Sequence, residues 1–164
     1  MEQILVQNAQ KFATSRQRQL DERLGFGIHG IIFSTKNNLE SGATAIKAHR
    51  EKEPFLRELA VYRRLMDAQI SEILGFNVPR LLDFDAELLV LEMTIVTRPF
   101  VLDFAGAYLD SPPVFTDEIW ADWEAEKQEQ FGERWPVVQN VLGALENLDI
   151  HMIDVSPSNI AFAN

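Results

Sequence analysis

The segment from residue 23 to residue 49 constrains the fold of this chain most. Two short stretches, RLGFGIHGIIFST and ATAIKAH, are apolar and favour β-structure, and KNNLESG between them is a cluster of turn-forming residues. Such a pattern is typical of a β-hairpin, so we expect two antiparallel strands here. If the hairpin turns about Asn38 and Leu39, Gly30 lies opposite Lys47.

Helices and further strands are expected on both sides of this hairpin. Residues 2 to 19 predict a helix with its apolar positions on one narrow face, and EPFLRELAVYRRLMDAQI predicts a second helix of about four turns. VPRLLDFDAE and ELLVLEMTIV follow, and the second is a nearly unbroken apolar run typical of a buried strand. The expected order after the first helix is therefore β-β-α-β-β. The apolar positions of the first helix are Ile4, Leu5, Ala9, Phe12 and Ala13.

The chain becomes helical and acidic beyond residue 97. Thr116, followed by two acidic residues, is a good helix start, and Pro136 suits the first turn of another helix. Trp120 and Trp123 lie one turn apart, and either core packing or an exposed surface for a partner would explain them. The apolar stripe of the last helix is expected at Val137, Val141, Leu142, Leu145 and Leu148.

Composition excludes several classes of protein. Of the 164 residues, 46% are hydrophobic and 24% charged, which is typical of a folded globular domain. The net charge of −10 argues against nucleic acid or an anionic membrane surface as a partner. The chain has no cysteine, so disulfides and thiolate chemistry are excluded. Without a signal peptide or an apolar run of about 20 residues, a soluble cytoplasmic protein is expected.

A glycine-rich string, Gly25-Phe26-Gly27-Ile28-His29-Gly30, is the first candidate for a ligand site. In dinucleotide-binding folds the G-x-G-x-x-G pattern leads from a strand into a helix, whereas here it leads into the β-favouring GIIFST. The alternative use is a hairpin whose glycines let backbone amides approach phosphate oxygens. A glycine-rich turn without a ligand explains the string equally well.

Lys47 is the second candidate. It lies among apolar neighbours in TAIKAH, where a buried ammonium group is costly unless it meets an anion. Glu58 on the following helix offers that anion, and a Lys–Glu pair would hold the ammonium in place for phosphate contact. An edge-strand lysine that reaches solvent is the alternative interpretation.

Together these segments resemble the protein-kinase-like fold. The glycine-rich hairpin, AIK, the glutamate of RELAVYRRL, the strand LLVLEMT and the late DVSPSN follow the order of that family from about residue 22 to residue 162. The resemblance implies a single α+β domain over residues 1–164. Within it, an N-terminal helix (about 1–21) would precede a small antiparallel β lobe with one helix (22–94) and a reduced helical lobe (95–164) that ends in the catalytic loop.

The resemblance also assigns roles to individual residues. The glycine loop would cover the phosphates of ATP, two apolar side chains would close over the adenine, and the lysine would contact the α- and β-phosphates while the glutamate braces it. The strand end LEMT would read the adenine edge, and D-x-x-x-x-N would supply the base and a magnesium ligand. The glycine loop comprises Gly25, Gly27 and Gly30, the residues over the adenine are Ile32 and Ala45, and the Lys–Glu pair is Lys47 and Glu58. Leu91 would lie behind the pocket, and Glu92, Met93 and Thr94 would read the adenine edge. Asp154 would be the base and Asn159 the magnesium ligand.

Three departures from the family pattern bear on activity. Met152 and Ile153 stand where the family has His and Arg, with His151 one place too early, so control through that arginine is not expected. Glu58 follows Lys47 by only 11 positions, which suggests a compact lobe or a misassigned glutamate. Only five residues follow Asn159, so the aspartate of D-F-G, which normally secures magnesium, is missing after the catalytic loop.

Two functional hypotheses follow. One is an ATP-dependent phosphotransferase of the Ser/Thr protein-kinase-like class, with protein hydroxyls, small alcohols and aminoglycosides all open as acceptors. The other is a catalytically inactive pseudokinase that binds a nucleotide or a protein partner. If residue 164 is the natural end of the protein, the missing D-F-G speaks against magnesium and favours the second hypothesis. His29, His49 and His151 lack metal-ligand spacing and are assigned no site.

Overall fold

The computed structural model describes residues 1–37 and 42–164, and the fold is α+β. The four helices are α1 (Glu2–Ser15), α2 (Lys52–Asp67), α3 (Asp117–Phe131) and α4 (Trp135–Glu146), with a 3-10 turn at Gly132–Arg134. The longer strands are β1 (Leu20–Phe26), β2 (Gly30–Thr35), β3 (Thr44–His49), β6 (Leu81–Asp85) and β7 (Val90–Thr94). The two-residue strands are β4 (Glu72–Ile73), β5 (Phe76–Asn77), β8 (Phe100–Val101), β9 (Tyr108–Leu109), β10 (Ile150–His151) and β11 (Ile160–Ala161).

The first half of the chain contains a five-stranded antiparallel sheet with the strand order β1-β2-β3-β7-β6. Every residue of its central strand, β3, is buried. Alternate side chains of a strand point to opposite faces, so this pattern requires cover on both faces. Ile46 and Ala48 pack with α1 on one face, while Ala45 packs with α2 on the other.

The first predicted strand is in fact two strands. RLGFGIHGIIFST turns back on itself at the glycine string, where the Gly27 amide donates to the Gly30 carbonyl at 2.9 Å, and β1 pairs with β2. The predicted register between β2 and β3 is wrong: Ile32 lies opposite Lys47, and Gly30 lies opposite His49. A shift of two residues keeps every side chain on the same face, so the apolar pattern alone could not distinguish the two registers. The predicted turn at Asn38 and Leu39 lies outside the described residues.

Both helices of the first half agree with their predicted apolar faces except at Ile4 of α1 and Met66 of α2, which are exposed. On α1 the buried residues are Leu5, Ala9, Phe12 and Ala13, whereas Ile4 is exposed. On α2 the buried positions recur every three or four residues, the spacing that places them on one face. These positions are Phe55, Glu58, Leu59, Val61, Tyr62 and Leu65.

The second half contains the two helices expected from their start signals. The Thr116 hydroxyl caps α3 by accepting the Ile119 amide at 3.2 Å, and α4 carries Pro136 in its first turn. Val138, and not the exposed Val137, belongs to the buried stripe of α4. None of the described helices combines the length and apolarity needed to cross a bilayer.

Four short strands bring two distant loops together. β8 pairs with β11 and β9 pairs with β10, although residues 100–109 precede residues 150–161 by some forty positions. The connection between β8 and β9 therefore lies beside the connection between β10 and β11. Trp123 of α3 supports the second connection by donating its indole N–H to the Ile153 carbonyl at 3.0 Å. This contact favours a packing role for Trp123.

Candidate functional site

A buried lysine held by two carboxylates lies at the centre of the molecule. Lys47 Nζ is 2.7 Å from Glu58 Oε1 and 2.9 Å from Asp103 Oδ1. The Lys47 and Glu58 side chains are 5% and 1% exposed, whereas Asp103 is 37% exposed. The structure thus brings Lys47 and Glu58 together, and it rules out the alternative of a lysine that reaches solvent.

Glu58 connects three parts of the chain. Its Oε1 lies 2.8 Å from His49 Nε2 on β3 as well as near Lys47, and its Oε2 accepts the backbone amide of Phe104 at 2.7 Å. Since α2 carries Glu58, the carboxylate ties that helix both to the sheet and to the β8–β9 connection. His49 Nδ1 lies 3.2 Å from the Leu89 carbonyl, so both imidazole nitrogens have polar neighbours.

The electrostatics keep this network charged. Burial by itself would raise the pKa of Glu58, but the Lys47 ammonium and the hydrogen bond from His49 outweigh it and lower that pKa to about 2. Burial would lower the pKa of Lys47, but Glu58 and Asp103 raise it above its ordinary value. At neutral pH the site therefore presents an ammonium and a carboxylate in a fixed arrangement.

An apolar cavity of about 350 Å³ opens beside the Lys47 ammonium. Six of the predicted site residues line it, together with Leu24, Asp103 and Ser158. Its walls are mainly apolar and its charged groups are Lys47, Glu58 and Asp103. Mainly apolar walls with a few charged groups are typical of small-molecule sites. The six predicted residues are Ile32, Ala45, Lys47, Glu58, Met93 and Thr94.

Several predicted residues do not line this cavity. Leu91 is fully buried next to Lys47, and the Glu92 side chain faces the other side of the sheet, where it accepts the Thr44 hydroxyl at 2.6 Å. The three glycines also lie outside the lining. Gly30 has a packing role instead, because a Cβ on it would overlap the carbonyl oxygen of Ala48.

The D-x-x-x-x-N segment closes on itself. The Asn159 amide nitrogen donates to the Asp154 carbonyl at 2.7 Å, and its Oδ1 accepts the Ser156 amide at 2.8 Å. Asn159 is buried, whereas the Asp154 residue is exposed. The Leu102 amide donates to the Asn159 carbonyl at 2.9 Å, which fixes this segment to the β8–β9 connection.

Asp103 is the functional candidate that sequence reasoning missed. The resemblance places a second carboxylate only after Asn159, whereas Asp103 precedes Asn159 in the chain and lies 2.9 Å from Lys47 Nζ. Asp103 is visible in the sequence within Asp103-Phe104-Ala105-Gly106, but this stretch lies ahead of the D-x-x-x-x-N segment in the chain. Asp103 also has a φ of 69°, a left-handed conformation that is uncommon for residues other than glycine and is often found at functional sites.

The site offers few side chains that could bind a divalent metal ion. Within residues 1–37 and 42–164, no group of three or more His, Asp or Glu side chains is arranged to hold a metal ion. Magnesium commonly takes only one or two protein carboxylates and completes its shell with water and phosphate oxygens. The Asp103 carboxylate, at the cavity wall and partly exposed, fits that mode of binding.

Comparison with known proteins adds no relative. We found no match for the chain among models of protein families, curated proteins or solved structures.

Proposed function

We propose that the protein is a kinase-like ATP-dependent phosphotransferase that binds the nucleotide in the 350 Å³ cavity. The observation that carries the proposal is the Lys47 ammonium, which is buried at the cavity between Glu58 and Asp103. A buried ammonium with a fixed position is suited to bind phosphate oxygens at the polar end of an otherwise apolar site.

The nucleotide fits the cavity with its base at the apolar end. Ile32 and Ala45 offer apolar contact to a flat ring, and Met93 and Thr94 end the adjacent strand. Backbone groups at the end of β7 would read the edge of the adenine. The volume lies within the range of about 300 to 1,000 Å³ that is usual for small-molecule sites.

Asp103 and Asp154 take different roles in this proposal. Asp103 lies close to Lys47 and is the residue that would hold Mg²⁺, which neutralises charge on the β- and γ-phosphates when bound. Asp154 is exposed and its backbone is fixed by Asn159, so its carboxylate is available to accept the proton of an acceptor hydroxyl.

The second candidate function is a pseudokinase, that is, a binding module without phosphoryl transfer. Asn159 favours it, because both ends of its amide group are hydrogen-bonded within its own loop. An amide group used in this way is a poor second metal ligand. A partner protein would then be the target of the nucleotide-bound form.

The nucleotide site is tested by thermal unfolding with ATP, with and without Mg²⁺. ATP at a hundred times its dissociation constant stabilises the folded chain by about 2.7 kcal/mol. We expect Lys47→Ala to lose this stabilisation and Lys11→Ala, an exposed lysine on α1, to keep it. A stabilisation that survives Lys47→Ala would show that the nucleotide lies elsewhere.

Phosphoryl transfer is tested separately with γ-labelled ATP and a panel of protein and small-molecule alcohols. Transfer by the wild-type chain that falls at least a hundredfold in Asp154→Asn supports the enzyme. If ATP stabilises the protein but no label is transferred to any acceptor, the pseudokinase is the correct function.

A further inference from the structure

One buried polar group at the 350 Å³ cavity has no hydrogen-bond partner in the described parts of the chain. Three buried side-chain groups lack a partner within residues 1–37 and 42–164: the Tyr62 hydroxyl, the Trp135 indole N–H and the His151 Nε2 atom. Of these three residues, Tyr62 alone lines the cavity, and it is 1% exposed. A buried hydroxyl without a partner is costly, so native proteins contain few of them and each calls for a specific explanation.

Tyr62 faces the charged end of this cavity. The residue also borders a second cavity of about 360 Å³ between α2 and β6, but Glu58 and Asp103 line only the first. Burial, and after it the carboxylates of Glu58 and Asp103, raise the pKa of Tyr62 well above its ordinary value of 10. The hydroxyl therefore lies near these two carboxylates, keeps its proton at neutral pH and is a hydrogen-bond donor.

The neighbouring groups do not use this proton. Glu58 Oε1 pairs with Lys47 and Glu58 Oε2 accepts the Phe104 amide, while Asp103 Oδ1 lies 2.9 Å from Lys47 Nζ. The backbone of Asp103 lowers the pKa of Tyr62, as an amide directed at the hydroxyl oxygen does. Such an amide contacts the oxygen and leaves the hydroxyl proton free to be donated.

Packing holds the ring of Tyr62 in place. The ring meets the Phe104 ring edge to face, with 5.4 Å between the centroids, and Phe104 is fully buried. Glu58 accepts the Phe104 amide at 2.7 Å, so the carboxylate that fixes Lys47 also fixes the neighbour of Tyr62. A ring held in this way presents its hydroxyl at a defined point, and little side-chain freedom is lost when the hydroxyl binds a ligand.

We propose that the Tyr62 hydroxyl binds the ligand of this cavity by donating a hydrogen bond to an oxygen of the ligand's anionic part, beside the Lys47 ammonium. This inference rests on the proposed function, which places the phosphate chain of a nucleotide against Lys47. An ammonium attracts any nearby oxygen through its charge, whereas a hydroxyl on a fixed ring favours an oxygen at one position. Tyr62 would therefore distinguish anionic ligands by shape in addition to charge.

The contact is tested by calorimetric titration of ATP and of adenosine into the wild type and two variants. Tyr62→Phe removes the hydroxyl and keeps the ring, so we expect the Kd for ATP to rise about tenfold or more, as for a lost hydrogen bond to a charged group. Tyr108→Phe is the matched control and leaves the Kd unchanged, because Tyr108 on β9 is 39% exposed and does not line the cavity.

Two titration results would overturn the proposal. One is an equal affinity for ATP in Tyr62→Phe and the wild type. The other is a loss of affinity as large for adenosine as for ATP, because adenosine has no phosphate and the contact would then lie on its base or sugar.

Urea unfolding of the ligand-free proteins tests whether the hydroxyl is free. Since the hydroxyl has no partner in the described parts of the chain, Tyr62→Phe should unfold at the same urea concentration as the wild type or at a higher one. A midpoint that falls further than in Tyr108→Phe would show that the hydroxyl is already hydrogen-bonded in the ligand-free protein, which contradicts the proposal.

The wild-type titration separates this inference from the proposed function. If ATP does not bind the wild type, the nucleotide site is wrong and this inference falls with it. If ATP binds the wild type and Tyr62→Phe equally well, the nucleotide site stands and only the role of Tyr62 is wrong.

Discussion

At the scale of single residues, the site depends on one buried charge network. Lys47 is shared by Glu58 and Asp103, and Glu58 is shared by Lys47, His49 and the Phe104 amide. A buried ion pair adds little stability compared with apolar residues, but the removal of one partner is costly because the other charge is left uncompensated. The network therefore fixes geometry more than it adds stability.

Removal of one charge should cost more than removal of both. Lys47→Met leaves the Glu58 carboxylate buried with His49 as its remaining side-chain partner, and we expect a loss of about 3–5 kcal/mol in the free energy of unfolding. Lys47→Met combined with Glu58→Gln should recover part of that loss. Urea unfolding at pH 7 measures both. Equal losses in the single and the double variant would show that the buried charge is not the cause.

The pH dependence of stability follows from Glu58. Its pKa falls from an ordinary value of 4.5 to about 2 on folding, so its contribution is complete above pH 4.5 and is lost as the pH falls through about 2. We expect the free energy of unfolding of the wild type to decline more steeply between these limits than that of Glu58→Gln. Parallel acid profiles of the two proteins, measured by urea unfolding, would contradict the assignment.

At the scale of elements, β2 and β3 lie so close together at Gly30 that the hairpin requires glycine at this position. Gly30 lies against Ala48 and His49, and no other residue type fits there without a shift of the backbone. The glycine pattern read as a phosphate loop thus includes at least one glycine that packing requires. Gly27 differs, because a Cβ on it would have no atom within 4 Å.

Two alanine substitutions separate these glycines. We expect Gly30→Ala to destabilise the protein by about 1–3 kcal/mol, since the added methyl group overlaps β3. Gly27→Ala is the matched control and should change stability by no more than about 0.5 kcal/mol. Thermal or urea unfolding measures both. Similar values for the two variants would mean that β2 and β3 are not as close as the structure indicates.

At the scale of the whole molecule, strand pairing joins the segment around Asp103 to the later segment around Asp154. β11 is only two residues long, but Ile160 and Ala161 are buried and pair with β8. Ile160 and Ala161 are therefore part of the core.

The contribution of β11 is tested by Ile160→Ala. Ile160 is fully buried, so we expect a loss of about 2–5 kcal/mol in the free energy of unfolding from the lost apolar contacts and the cavity left behind. Ile119→Ala, at a position 48% exposed on α3, should cost much less. If the two variants unfold at the same urea concentration, β11 does not pack as described.

The amino-acid pattern alone was enough to predict the helices, the residues that make up the main strands and the pairing of Lys47 with Glu58. These depend on local signals: apolar periodicity, a capping hydroxyl, a proline in a first turn, and a buried charge that needs a partner. The register between β2 and β3, the contact of His49 with Glu58 and the contact of Asp103 with Lys47 became visible only in the folded chain. Lys47 and Asp103 are 56 positions apart, and local patterns do not encode which distant segments meet, because strand pairing and core packing fix that choice.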